Sequence, residues 1–188
     1  MTDMNGAAAS APDAEVLAKV ARVRSAVRES FGKVAMAMMA LPRYRHLAIG
    51  DLQHLVLEPL IRDRIAIATR AGEENPLGDV AGMAIWASVS DEVDAKLREQ
   101  IREGVFPVRL APGDWASGEI AWLLDVIAPD RKSAAAVIAN FRQVAGEREL
   151  RLHPLIPRLV DPDALERMGA KRMGEGAGAS EGTGGEGA

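Results

Sequence analysis

Cysteine is absent from the 188 residues. That excludes disulfides, thiolate metal sites and a cysteine nucleophile together. Aromatic residues make up only 4%, with three tryptophans, three phenylalanines and one tyrosine. No apolar run approaches the roughly 20 residues that a membrane span needs. Positive charge is not in excess: 23 Lys and Arg stand against 27 Asp and Glu, a net charge of -4, so no broad nucleic-acid surface is expected. Residues 1–13 are Ala-rich and acidic and lack the basic and apolar regions of a signal peptide, so a cytoplasmic address is expected. The three histidines, His46, His54 and His153, include no pair at i, i+4. With no acidic cluster of calcium-loop spacing either, no metal site is expected. No serine sits in a nucleophile elbow.

What is present is an ordinary globular composition, 48% hydrophobic, in a chain long enough for a real core. Valines 16, 20, 23 and 27, then Phe31, Val34 and Met38, recur at three and four residues and predict one helix with an apolar packing stripe. Asp13 lies among its start signals and Pro42 stops it. The methionines at its end, Met36, Met38 and Met39, either join the core or line a lipid pocket. A second helix is expected over 47–60, closed near Pro59. Residues 64–69 alternate and predict a strand, 71–79 a turn, and 80–89 a second strand in which Gly82 marks a bulge or a close backbone approach. Ser90, followed by Asp91 and Glu92, predicts the N-terminus of a third helix whose buried stripe is Val93, Leu97 and Ile101. After an irregular stretch at 104–115, a strand is expected over 120–127, then a helix over 133–145 carrying Val137, Ile138, Phe141 and Val144, then a strand over 149–155. Residues 1–12 and the Gly-rich tail 169–188 have too little to bury and are expected to be disordered. Helices interleaved with strands make one α/β (α+β) domain over 13–168, a central mixed or antiparallel sheet flanked by helices.

The chain is organised around residues 114–129, Asp-Trp-Ala-Ser-Gly-Glu-Ile-Ala-Trp-Leu-Leu-Asp-Val-Ile-Ala-Pro, which hold two of the three tryptophans. The first half is turn punctuation and the second an apolar run buried on both faces. Asp125 interrupts it. A carboxylate there is costly to bury alone, so it pairs with a structural arginine, caps the next helix, or orients a catalytic group.

The pattern Asp114-Trp115-x-Ser117-Gly118, then Trp122-Leu-x-Asp125-x-Ile-Ala128-Pro129, resembles the central signature of the toxin-activating lysine acyltransferases, which fatty-acylate RTX protoxins. The resemblance runs from about Met36 to about Pro157. It implies a GNAT-like fold, acyl carrier protein with its phosphopantetheine thioester as donor rather than a tightly bound cofactor, an RTX protoxin-like acceptor, and a possible homodimer. It also implies two catalytic residues, His46 and Asp125. The chemistry needs both. A lysine amine of pKa about 10.4 is nearly all protonated at neutrality, and a histidine near 6.5 can take its proton. A carboxylate on the other ring nitrogen fixes the tautomer. On that view Asp125→Asn keeps the fold and loses the rate. A thioester is reactive enough that no covalent enzyme nucleophile is needed. Arg43, Arg45, Arg131, Lys132 and the N-terminus of the helix at Ser133 are candidates for holding the acidic donor or its phosphate.

Two departures stand out. Leu41-Pro42 replaces the family's frequent Ser-Pro pair, with Tyr44-Arg45 interposed before His46, and Asp130-Arg131-Lys132-Ser133 follows Pro129 where relatives tend to have glycine. They keep a second reading open, a non-catalytic acyl- or peptide-binding module on the same fold. His54, with Asp51 and Glu58 close by, reads as a surface residue in local charge pairs. His153 reads as the end of a strand, before Pro154.

Overall fold

The computed structural model describes residues 13–69, 80–146 and 148–160. The expectations for 1–12, for the turn at 71–79 and for the Gly-rich tail lie outside the described residues, as does the side chain of Val144. Four strands, β1 (Ile65–Thr69), β2 (Val80–Val89), β3 (Ile120–Ile127) and β4 (Leu150–Leu152), lie in sequence order in one mixed sheet. The pairs β1–β2 and β2–β3 are antiparallel, and β3–β4 is parallel. The mixed α+β architecture is the one expected.

Each face of the sheet buries one apolar cluster. On one face, Trp122, Leu124 and Ile127 of β3 meet Val34 and Met38 of helix α1 (Ala14–Met39). Leu55 and Val56 join them, with Val93 and Leu97 of helix α3 (Asp91–Arg102). On the other face, Ala121, Leu123 and Val126 meet Val137, Ile138 and Phe141 of helix α4 (Arg131–Ala145), together with Leu150, Leu152 and Ile156. The seam is close at Gly82: a Cβ there would stand 2.5 Å from a Val137 methyl and 3.1 Å from the Ile127 carbonyl oxygen. The expected close approach at that glycine is therefore real, and the β1–β2 register shifts beside it, between Ala68 and Thr69.

Strand β3 changes parity inside itself. Ile85 pairs with Asp125 and Trp86 with Leu123, so Leu124 has no partner opposite and forms a bulge. Before the bulge, Trp122 and Leu124 face one layer and Ala121 and Leu123 the other. After it, Val126 faces α4 and Ile127 the opposite layer. A strict period of two would send Asp125 toward α4. The inserted residue turns it to the same face as Leu124, the re-aiming that bulges perform beside functional sites.

Local elements depart from the sequence expectations in four places. The apolar stripe of α1 packs only along its last turns: Val34 and Met38 are in the core and Phe31 packs against it, while Val16, Leu17 and Val23 are more than half exposed. Of the methionines, Met38 is core while Met36 and Met39 are exposed. The expected helix at 47–60 is helical only from 51, where a π-helical turn, Gln53–Leu57, runs into helix α2 (Glu58–Ile61); a separate 3-10 turn, Pro42–Tyr44, precedes it. Pro59 stands inside rather than at its end; the wide turn before it accommodates a residue that lacks an N–H and would disrupt a regular ladder. Helix α4 begins at Arg131, not Ser133: the Asp130 carboxylate accepts from the Ser133 N–H at 2.8 Å and caps it. Strand β4 stops at Leu152, since Pro154 and the 3-10 turn Ile156–Arg158 bend the chain away.

Candidate active site

The bulge delivers Asp125 to a small network that closes one end of the sheet. Its carboxylate is buried, with 3% of the residue exposed. One oxygen accepts from the Arg43 guanidinium at 3.1 Å and from the Val126 N–H at 2.8 Å. The other accepts from the Tyr44 hydroxyl at 2.5 Å. Arg43 also donates to the Tyr44 oxygen at 2.6 Å and to the Val126 carbonyl, and its guanidinium lies over the Tyr44 ring, 4.5 Å from the centroid. Burial and the adjacent carboxylate push the Tyr44 phenol far above its ordinary range, so it stands as a neutral donor. Of the alternatives open for Asp125, the structure shows the arginine pairing, with Tyr44 added.

His46 lies two residues beyond Tyr44, on the exposed turn that leaves the network, and its ring makes no hydrogen bond to any described residue. The structure thus brings Arg43 to Asp125 and attaches His46 to the same turn without an imidazole–carboxylate bond. Arg45, Arg131 and Lys132 are exposed. The Ser133 hydroxyl and N–H are both bonded to Asp130, so an acidic side chain already occupies the α4 N-terminus where a phosphate was expected.

Beside the network lies a small recess, about 20 Å³, the size of a water site. Leu55, Ile85, Phe106, Pro107, Val108, Leu124 and Trp115 supply apolar walls, and Asp125, His54 and His153 the polar ones. Sequence reasoning misread His54, and it placed His153 correctly at a strand end without foreseeing the recess. His54 is not held in charge pairs: Asp51 accepts from the Ala48 N–H at 2.9 Å and Glu58 pairs with Arg62 at 2.5 Å, leaving the imidazole to line the recess from the π-helical turn. His153 follows the last residue of β4; its N–H reaches the Leu123 carbonyl at 2.9 Å, and its ring, 8% exposed as a residue, turns into the wall beside Phe106. Burial lowers the His153 pKa, and Asp125 opposes the shift. Nothing in a periodicity argument marks a residue just beyond a strand, although a histidine before a proline at a strand end is a signal of sorts.

The direction of that shift has a measurable consequence. A histidine held neutral by burial contributes stability above its unfolded pKa of about 6.5, and loses it as pH falls through the lower folded value. The unfolding free energy of the wild type is expected to drop as pH is lowered below about 6.5, and His153→Leu is expected to lack that part of the slope. Equal pH slopes between 7.5 and 5 in urea titrations of the two proteins would contradict it.

The third tryptophan environment is structural. Trp122 is fully buried, and its Nε1 donates to Asp94 at 2.8 Å; Asp94 also pairs with Arg98 at 2.9 Å and with Arg151. The loop ahead of β3 packs backbone on backbone: Trp115 accepts from Ser88, Gly118 donates back to it, and a Cβ on Gly118 would lie 2.6 Å from the Val89 oxygen. That contact is the physical reason for glycine at this place in the Asp-Trp-x-Ser-Gly signature.

The chain is thus an α+β sheet domain with a buried carboxylate network beside a small, mostly apolar recess. Comparison with known proteins gives the particular class. The model of the RTX toxin acyltransferase family matches residues 23–153, well over half the chain, and the protein belongs to that family. No curated protein matches it individually.

Proposed function

We propose that the protein moves a fatty acyl group from the phosphopantetheine thioester of acyl carrier protein to the ε-amine of an internal lysine in an RTX-type protoxin or related protein. Family membership supports acyl transfer and a toxin substrate. The single structural observation that carries the reading is the recess, which sets apolar walls beside Asp125. The GNAT-like architecture belongs to the same reading, and a mixed sheet whose parallel strands β3 and β4 part beside the recess suits it.

In this reading His46 is the general base. It stands on an exposed turn, where a lysine carried by another protein can reach it. Asp125 serves it indirectly, by holding that turn through Arg43 and Tyr44. The amine nitrogen attacks the thioester carbonyl as His46 takes its proton; the tetrahedral species collapses, the C–S bond breaks, and the thiolate leaves and is protonated. The products are an amide on lysine and the free thiol of acyl carrier protein. The basic residues Arg45, Arg131 and Lys132 are exposed, as contacts to an acidic carrier would require.

One observation favours the second reading, a non-catalytic acyl- or peptide-binding module: both oxygens of Asp125 are engaged by groups other than His46. Intact mass separates the two. Co-expression with an RTX-type substrate is expected to add a fatty acyl increment to a lysine of that substrate, and His46→Ala to reduce the yield by about 100-fold or more, the scale of a lost general base. An unmodified substrate in the presence of charged acyl carrier protein would leave only the binding module. Full modification by His46→Ala would move the base elsewhere.

A further inference from the structure

Two buried N–H groups, on residues that line the recess, have no acceptor among the described residues. Trp115 is 4% exposed and its Nε1 is bonded to nothing among the described residues. The His153 Nε2 is in the same condition. The proton on that nitrogen follows from the other one: Nδ1 accepts from the Leu155 N–H at 3.1 Å, so in the neutral ring the single proton sits on Nε2. Both residues line the recess, beside Leu124 and Asp125. A buried donor left unpaired costs free energy, and native structures leave few of them. Here two stand in one apolar cavity, and both are donors. Neither meets a hydrogen-bond partner among the described residues.

We infer that Trp115 Nε1–H and His153 Nε2–H together bind an acceptor-only oxygen in the recess, the carbonyl oxygen of the acyl thioester, and hold the negative charge that forms on it when the amine attacks. The assignment rests on the acyl-transfer reading above and adds a residue pair to it. Each N–H gains an acceptor only when substrate is bound, and the bond strengthens as the carbonyl oxygen becomes an oxyanion. That is stabilisation of the transition state over the ground state. The lowered pKa of His153 agrees with a ring that stays neutral and presents one fixed N–H. The backbone around both donors is tied down: the Trp115 carbonyl accepts from Ser88 and Arg64, and the His153 N–H donates to the Leu123 carbonyl of β3. A donor pair held this way needs no reorganisation when charge appears.

The test has an arm that needs no turnover. The probe is S-octanoyl-N-acetylcysteamine, with the S-octyl thioether of the same length as its control. The indole N–H resonances of the three tryptophans are followed by ¹⁵N-correlated NMR and assigned with Trp115→Phe. The thioester is expected to move the Trp115 indole proton downfield, and the thioether, which lacks the carbonyl, to leave it in place. The same shift with both, or with neither, overturns the inference, the first because it reports the chain alone and the second because water alone then fills the site. The second arm is rate. Trp115→Phe and His153→Leu are each expected to lower kcat by about 100-fold with little change in KM, the scale of one lost oxyanion donor. His153→Asn, which returns an N–H to the wall, is expected to recover part of it. Variants with wild-type circular dichroism and wild-type turnover would remove the donor pair while leaving acyl transfer intact. A wild type without turnover, but with the carbonyl-specific shift, would keep the pair as a binding site and fail the enzyme reading instead.

Discussion

Asp125→Asn is expected to lower the unfolding free energy by about 3 kcal/mol, because Arg43 is left without its anionic partner in a poorly hydrated site. Every group facing this carboxylate is a donor: the Arg43 guanidinium, the Tyr44 hydroxyl and the Val126 N–H. An asparagine keeps the shape but offers one oxygen, and turns its amide toward a donor. This reverses what the sequence suggested, that the amide would fill the site with little loss of stability and that only the rate would suffer. Activity should fall further than the folded fraction does, since the turn that carries His46 loses its anchor. A cycle with Arg43→Met isolates the pair: removing both partners is expected to cost clearly less than the sum of the single changes. Chemical denaturation gives the four energies, and an Asp125→Asn protein within about 0.5 kcal/mol of wild type, inside the range of an ordinary surface change, would end the ion-pair account.

Trp122→Ala is expected to cost about 4 kcal/mol, the scale of truncating a large aromatic in a packed core. The residue is fully buried between the sheet and α3, and its indole N–H holds Asp94. Trp122→Phe separates the two contributions. It keeps most of the buried area and loses the hydrogen bond, so a cost of about 1–2 kcal/mol is expected. Asp94 retains Arg98 and Arg151 and is not stranded. Alanine and phenylalanine variants of equal stability would mean that packing at Trp122 contributes little, against everything its burial implies.

Where sequence and structure agree, local physics decides. Strand β3 runs over Ile120–Ile127 as the apolar run required, and Ser90 caps α3 ahead of its acidic first turn, with Val93 and Leu97 buried as spaced. Gly82 marks a close approach because no side chain fits between β2 and α4. The site was less legible. That Asp125 matters can be read from a carboxylate in an apolar run. Which face it takes depends on the bulge at Leu124, and a bulge leaves no trace in an unbroken run of apolar residues. The π-helical turn that turns His54 toward the recess replaces a helix that periodicity could not distinguish from it. His153 gains its neighbours only through long-range pairing of β4 with β3, which spacing along the chain cannot express.

The parallel pair that forms the far side of the site is short: three positions match, Ala121 with Leu150 through Leu123 with Leu152, and among the described residues the last four of β3 run on beside β2 alone. That flank is not open to solvent: Asp125, Val126 and Ile127 are buried, and the Arg43 guanidinium is seated on the Val126 carbonyl. The guanidinium thus stands on a backbone acceptor that a further strand would use, as well as pairing with Asp125. An uncovered strand rim invites another chain to add itself as a strand. Variants that unseat Arg43 should be assessed for colloidal behaviour as well as for turnover, because a protein that precipitates through this flank would otherwise be scored as one that has lost its chemistry.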